Sequence, residues 1–231
     1  MFRYETHLHS SLVSACSRLT PEEAVEKYTR LGFSGLFVTD HFLNGNTTVP
    51  RDLPWDARIA RFCDGYRAVR KAAAHTDLDV FFGFEYSYKG TDFLVYGLEE
   101  DWLLCHAEIM DMTTREFIRF AKNEGGLVIQ AHPCREDFYI NHVRLFPSDV
   151  DGFEVYNAGR PPRTNRLAEL YAGEYGMCRT AGSDIHNAQT AHLGGMEFPE
   201  KLSSGKDYAS RVKCGEGTIF KLDDSKYSEH G

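Results

Sequence analysis

The sequence predicts a mixed α/β protein whose parallel strands close, or nearly close, into a barrel. Three observations carry that expectation. Strand-like apolar runs alternate with amphipathic helical stretches, the pattern of a parallel sheet with helical crossovers. Five runs finish in metal-competent residues: His7/His9, Asp40/His41, Glu85, His132 and Asp184/His186. Parallel strands bring their C-terminal ends to one face, and an open sheet does not easily gather so many successive ends around one pocket.

Residues 2–6 form a short strand ending in His7-Leu8-His9-Ser10. Thr20 caps a helix with Pro21 at its first position and Glu23 at its third. Ala24, Val25, Tyr28 and Leu31 share one face of that helix, and Gly32 stops it. Gly35-Leu36-Phe37-Val38-Thr39 is apolar until its end, which suits a strand covered on both sides, and it delivers Asp40-His41. A polar loop over residues 42–54 precedes one long helix, residues 54–75, with Ile59, Phe62, Cys63, Tyr66 and Val69 inward. A strand over 78–83 leads to Glu85, and 92–96 is another short strand. Thr113 or Thr114 caps a helix carrying Phe117, Ile118 and Ala121, ended by Gly125-Gly126. Leu127-Val128-Ile129-Gln130 is a strand ending in Ala131-His132-Pro133, and 150–156 is the next, with Glu154 and Asn157 near its end. Pro161-Pro162 opens a helix with Leu167, Leu170 and Tyr171 inward, and 178–181 is the last clear strand. Residues 217–222 add a small terminal strand, and the final nine residues are expected to fray. One domain is expected over residues 1–231, with everything after about residue 201 a peripheral C-terminal extension.

The apolar fraction of 42% suits a soluble globular protein. No apolar run is long enough to cross a membrane, and nothing near Met1 reads as a secretion signal, so a cytoplasmic location is expected. The net charge is −8, and the basic residues are scattered apart from Arg160, Arg163 and Arg166. A general nucleic-acid groove wants a basic stripe, so a long nucleic acid is not the expected partner. An enzyme acting on a phosphate is not excluded, because bound cations invert the local potential. The six cysteines, Cys16, Cys63, Cys105, Cys134, Cys178 and Cys214, form no CxxC pair and are expected as free thiols. The oligomeric state is not legible.

Residues two apart on a strand face the same way, so His7 and His9 can point into one centre, and Asp184 and His186 can do likewise. Imidazole with carboxylate suits Zn, Fe or Mn rather than Ca. The candidates exceed the needs of one tetrahedral ion, so two or three divalent ions are expected, with Glu85 placed to bridge two. Burying so many ionisable groups without metal or partners would be costly. His75, His106 and His230 read as surface or helix-end residues, while His142 and His192 stay open.

Taken in order, His7-Leu8-His9-Ser10, Val38-Thr39-Asp40-His41, Gly83-Phe84-Glu85, Gln130-Ala131-His132-Pro133 and Gly182-Ser183-Asp184-Ile185-His186 resemble the polymerase-and-histidinol-phosphatase (PHP) family of metal-dependent phosphoesterases. The resemblance spans residues 4–195 and implies a distorted (β/α)7 TIM-like barrel of PHP type with a two- or three-metal site. By position, His7, His9, Glu85 and Asp184 resemble ligands of a first metal. Glu85 resembles the bridge to a second, beside His132, and His41 and His186 resemble ligands of a third. Two positions depart. Cys16 lies nearest to the place of a family Asp on the third metal, and is either a thiolate ligand or a buried cysteine beside the site. Asp92 stands where a His on the second metal is common, and is either a ligand or an acceptor that orients a ligating His.

The implied reaction is hydrolysis of a phosphate ester, a small phosphomonoester first, by a hydroxide held between two ions. Asp40 or His186 would assist proton movement. Arg135 would clamp a phosphate oxygen, with a solvated loop arginine as the alternative. Arg160 and Arg163 would meet substrate near the rim, or serve the helix or solvent, and Asn157 would hydrogen-bond substrate or a ligand, or serve a turn. The expected partner is a small phosphorylated metabolite or nucleotide. Alternatives are a phosphodiesterase or exonuclease acting on nucleotides or oligonucleotide ends, and a non-catalytic metal-stabilised interaction domain.

Overall fold

The computed structural model describes residues 1–226. The final residues, including His230 and most of the segment expected to fray, lie outside the described residues. Alternating strands and helices run β1 (Phe2–Leu8), α1 (Pro21–Arg30), β2 (Gly35–Val38), α2 (Trp55–Phe62), α3 (Asp64–Ala72), β3 (Asp79–Tyr88) and β4 (Thr91–Tyr96). They continue with α4 (Glu100–Cys105), α5 (Thr114–Asn123), β5 (Leu127–Ala131), β6 (Gly152–Asn157), α6 (Pro162–Glu174) and β7 (Cys178–Gly182). The chain then adds β8 (His192–Phe198), α7 (Gly205–Lys213) and β9 (Thr218–Asp223). Among the described residues no helix is long and apolar enough to cross a membrane.

One sheet holds the strands in the order β7-β6-β5-β4-β3-β2-β1-β8-β9. β1, β2 and β3 are parallel, as are β5, β6 and β7. The sheet curls until the segment after β7 meets β1. Leu8 and Ile185 form a parallel bridge, His9 N donates to Ile185 O at 3.1 Å, and Ile185 N donates to His7 O at 3.3 Å. The barrel is therefore pinned shut at the end where the histidines lie. The expected distorted TIM-like barrel is the fold observed.

Several local expectations need correcting. β4 does not follow a crossover; it is antiparallel to both β3 and β5. Lys89 and Gly90 make the two-residue turn, with φ of 48° and 80°. Two positive φ values define the turn that matches strand twist in a tight hairpin, and this reverses one strand of the barrel. The long helix breaks at Cys63 into α2 and α3. On α6, Ala168 and Ala172 face inward while Leu170 is 59% and Tyr171 41% exposed. Small residues let that helix lie close to the sheet, which turns its large ones outward. β8 had no strand signal because Gly194-Gly195 reads as a breaker. Both glycines are required there: a Cβ on Gly194 would sit 2.6 Å from the Tyr156 ring, and one on Gly195 would sit 2.2 Å from Tyr4 O.

Nor is the segment after residue 201 peripheral. Tyr208, Ala209 and Val212 of α7 are buried against Tyr4, Phe37, Tyr96 and Leu127. Tyr4 and Leu127 begin their strands, so α7 covers the barrel end opposite the histidines. β9 extends the sheet, and Asp224 beyond it accepts from Lys27 Nζ at 2.7 Å and from Arg30 Nη2 at 2.9 Å.

Candidate metal centre

His7 and His9 leave the end of β1 on one face because the bridge to Ile185 keeps the backbone extended beyond Leu8. Their Nε2 atoms are 3.1 Å apart. Glu85 sits inside β3, not at its end. His41 bridges to it beyond β2, with Phe42 N donating to Glu85 O at 2.8 Å and Glu85 N to Asp40 O at 3.0 Å. His132 and Asp184 follow β5 and β7 with φ of 29° and 53°, backbone that non-glycine residues rarely adopt. Such strain persists where surrounding structure over-determines it, and here it falls on two candidate ligands.

These side chains form three overlapping groups, each able to hold an ion: His7, Glu85 and His132; His7, His9 and Asp184; and His9, His41 and His186. His7 Nε2 lies 3.5 Å from both Glu85 Oε1 and Asp184 Oδ1. His9 Nε2 lies 3.5 Å from Glu85 Oε2 and 3.4 Å from Asp184 Oδ1. His132 Nε2 is 3.3 Å from Glu85 Oε1, and His41 Nδ1 is 2.7 Å from Glu85 Oε2. Glu85 is fully buried, yet neither of its oxygens accepts a well-formed hydrogen bond. A buried carboxylate in that condition calls for a cation, so the donor set fits divalent metal ions.

Three histidines are held in one tautomer. Glu154 Oε1 accepts from His7 Nδ1 at 2.9 Å, and the Asp184 carbonyl accepts from His186 Nδ1 at 2.8 Å. Ser14 Oγ donates to Asp40 Oδ1 at 2.7 Å, so it accepts from His9 Nδ1 at 3.0 Å and from His41 N at 3.0 Å. In the neutral ring each arrangement puts the proton on Nδ1 and leaves Nε2 with its lone pair, the state a metal requires. Glu154 Oε2 also accepts from His132 N and Asn157 Nδ2. Sequence reasoning assigned no role to Glu154, Ser14 or Glu5. Glu5 accepts from His7 N and Ser183 N, at 2.8 and 2.9 Å, and so ties β1 to the residue before Asp184. A signal existed: an acidic residue inside an apolar strand, as in Glu5 and Glu154, must have buried partners.

The charges are strongly coupled. Burial opposes the charge on His7, but Glu154 and Asp184 outweigh it and hold its pKa well above the usual value. Burial and the neighbouring His41 push His9 down to about 3. His41, facing Glu85, is held up at about 11 against its own burial. Burial pushes Glu85 and Asp184 up, yet the surrounding histidines hold both well below the usual carboxylate range.

A cavity of about 550 Å³ opens over this cluster, walled by Cys16, His41, Asp92, His132, Arg135, Tyr139, Arg160, Asp184 and His186. Cys16 is exposed rather than buried. Burial raises its thiol, but His186 and His41 outweigh that and bring it to about 6. Asp92 lies 3.9 Å from His132 Nε2 and 3.1 Å from Arg135 Nη2. Its pKa is raised by burial and by Glu85. Arg160 Nη2 stands 3.2 Å from Asp184 Oδ2. Asn44, Lys89 and Tyr139 also line the cavity and carried no sequence signal.

Of three further expected site residues, Asp40 and Arg163 lie elsewhere, while Asn157 reaches a candidate ligand from beneath. Asp40 turns away from the cavity toward α3: a Cβ on Gly65 would overlap its Oδ2, and both its oxygens accept from Ser10. It sets the His9 tautomer through Ser14 and is not part of the cavity lining. Asn157 is fully buried, donating to Glu154 and Asp184. Arg163 is exposed on the first turn of α6, outside the cavity lining. Among the other histidines, His106 pairs with Glu108 at 2.8 Å, while His75, His142 and His192 are exposed.

No family model matches the chain, and no curated protein does. Solved structures share its fold. A two-domain protein from Bacteroides vulgatus, containing a predicted PHP-like metal-dependent phosphoesterase, superposes with a TM-score of 0.72 at 15% identity. That match covers 95% of this chain and 64% of the Bacteroides chain. A protein from Bifidobacterium adolescentis, described as a candidate metal-dependent phosphoesterase, gives a TM-score of 0.56 at 16% identity, covering 91% and 95% of the two chains. An amidohydrolase from Chromobacterium violaceum, with bound sulfate and no metal, gives 0.57 at 14% identity over 96% and 99%. The fold expected from the histidine and carboxylate segments is thus the fold of PHP-like structures.

Proposed function

We propose that this protein is a metal-dependent phosphoesterase acting on a small phosphomonoester. One observation carries the reading: His7, His9 and His186 donate from Nδ1 to fixed acceptors, around a buried Glu85 whose oxygens accept no well-formed hydrogen bond. His7, His9, Glu85 and Asp184 would hold one ion; Glu85 and His132, with Asp92 at the margin, a second; His41, His186 and Cys16 a third. Zinc, iron or manganese suits this donor set, and the thiolate favours zinc or iron. Divalent ions there would supply Lewis acidity and, by lowering the pKa of water, a nucleophile at neutral pH.

The remaining chemistry belongs to the chain. Arg135 and Arg160 flank the cavity, held by Asp92 and Asp184, and are placed to take phosphate oxygens. His186, 27% exposed at its side chain, presents Nε2 for ligation or for holding a proton near the leaving oxygen. Asp40 positions Ser10 and Ser14. Two neighbours of the same fold described as phosphoesterases support the class, while the neighbour described as an amidohydrolase supports only the broader reading of a hydrolase. A phosphodiester is the second reading, favoured by a cavity of about 550 Å³ that leaves room for another ester arm.

The test is a phosphomonoester and phosphodiester panel with metal-reconstituted protein, beside metal analysis. Turnover abolished by His9→Ala and Asp184→Ala is expected. Stoichiometric metal with no turnover of either ester class would instead identify a metal-stabilised interaction domain.

A further inference from the structure

A second, larger recess of about 750 Å³ lies at the barrel seam, between α6 and the antiparallel pair β8 and β9. The seam exists because β7 and β9 are the two ends of the sheet. Tyr156, Leu170 and Ile219 give the recess apolar surface. Gly194 lets the Tyr156 ring lie close against β8, since a Cβ there would collide with that ring. Three cations surround it: Arg160, Arg166 and Lys221. Lys221 Nζ stands 4.4 Å from the Tyr156 ring centre, and among the described residues neither it nor Arg166 has a carboxylate within ion-pair distance. The one acidic residue in the lining, Glu169, is engaged by Arg179 at 3.1 Å. Arg160 lines both this recess and the cavity over the metal ligands, so the two are neighbours across one side chain.

We infer that the recess receives the leaving-group arm of the substrate, and that this arm has an apolar body ending in a second anionic group. The inference rests on the phosphoesterase reading. Charge complementarity selects the ligand: an apolar surface with two uncommitted cations at its edge fits an amphipathic anion. A neutral or cationic arm would leave both cations without partners. The recess lies within the size range of small-molecule pockets.

Binding of non-hydrolysable phosphonates to the metal-loaded protein tests this apart from turnover. The probes are phenylalkylphosphonates of increasing spacer length, with and without a para-carboxylate, measured by titration calorimetry. At one spacer length the carboxylated member should bind roughly tenfold tighter, the worth of one charge-assisted contact. The exposed double substitution Arg166→Ala/Lys221→Ala should erase that preference and leave the unsubstituted probe unchanged. No preference at any length, a preference surviving the double variant, or no binding of either probe overturns the inference. So does a wild-type dimer that the same substitutions dissociate, which would make a second copy the occupant. Failure of the phosphoesterase reading shows separately, as carboxylated phosphonates bound with preference while the matching phosphate esters are not hydrolysed.

Discussion

Glu154→Gln exchanges one buried oxygen for an NH2 group at a point where three donors converge. His7 Nδ1 approaches Oε1 at 2.9 Å, while His132 N and Asn157 Nδ2 approach Oε2 at 2.9 and 2.8 Å. Glutamine has two ways to sit. With its oxygen at the His7 side, its NH2 faces two buried donors, and each orphaned donor costs about 1–3 kcal/mol. With its oxygen at the other side, the NH2 faces His7, whose Nδ1 must then accept. That places the His7 proton on Nε2, the atom lying 3.5 Å from Glu85 and Asp184. The second arrangement is less costly for the fold and removes His7 as a ligand. The expected loss in metal affinity is roughly 10–100-fold, as for other partners of ligating histidines, or about 1.4–2.7 kcal/mol. Competition against a chromophoric chelator measures it, with thermal unfolding of the metal-free variant as the control for folding. Metal affinity within about twofold of wild type in a folded variant would refute the tautomer argument.

Three further outcomes follow from the same structure. Cobalt-substituted protein should show a near-ultraviolet sulfur-to-metal charge-transfer band that Cys16→Ser abolishes; an unchanged spectrum would remove Cys16 from the ligand set. Gly65→Ala should lower stability by about 1–3 kcal/mol in chemical denaturation, because the added methyl overlaps Asp40 Oδ2 and Ser10 Oγ, and a neutral result would mean α3 can shift freely. Asp224→Asn should cost about 1–2 kcal/mol at neutral pH by weakening the contacts to Lys27 and Arg30. Arg30, with Lys27 behind it, holds the Asp224 pKa below the usual 3.8, so this stability is present above pH 3.8 and lost as pH falls through the lower folded value. The gap between wild type and variant should therefore close in acid; a gap that widens there would reverse the assignment.

The seven candidate ligands His7, His9, His41, Glu85, His132, Asp184 and His186 were legible as a set. Parallel strands present their ends to one face, and a chain does not bury so many ionisable groups without a partner. The barrel class was legible for the same reason, together with the alternation of apolar runs and helical stretches. Strand-end logic reaches no further, because it places a residue without fixing where its side chain points. Asp40 and His41 are neighbours beyond one strand, yet only His41 turns to Glu85, while Asp40 is captured by Ser10 and Ser14 behind it. Asn157 lies below the cavity, donating to Glu154 and to the candidate ligand Asp184.

What the sequence determined by itself was which residue types gather at the candidate centre: histidines and carboxylates spaced at successive strand ends. Tertiary structure alone decided the rest. The reversal at β4 depends on two consecutive positive φ angles, the β8 strand depends on two glycines sliding under aromatic rings, and the bare Nε2 of His7 depends on Glu154, an acceptor far away in the chain. The last two are contacts between distant segments. Local propensity carries no information about such a contact until the sheet has closed and the backbone brings the partners within a few ångströms.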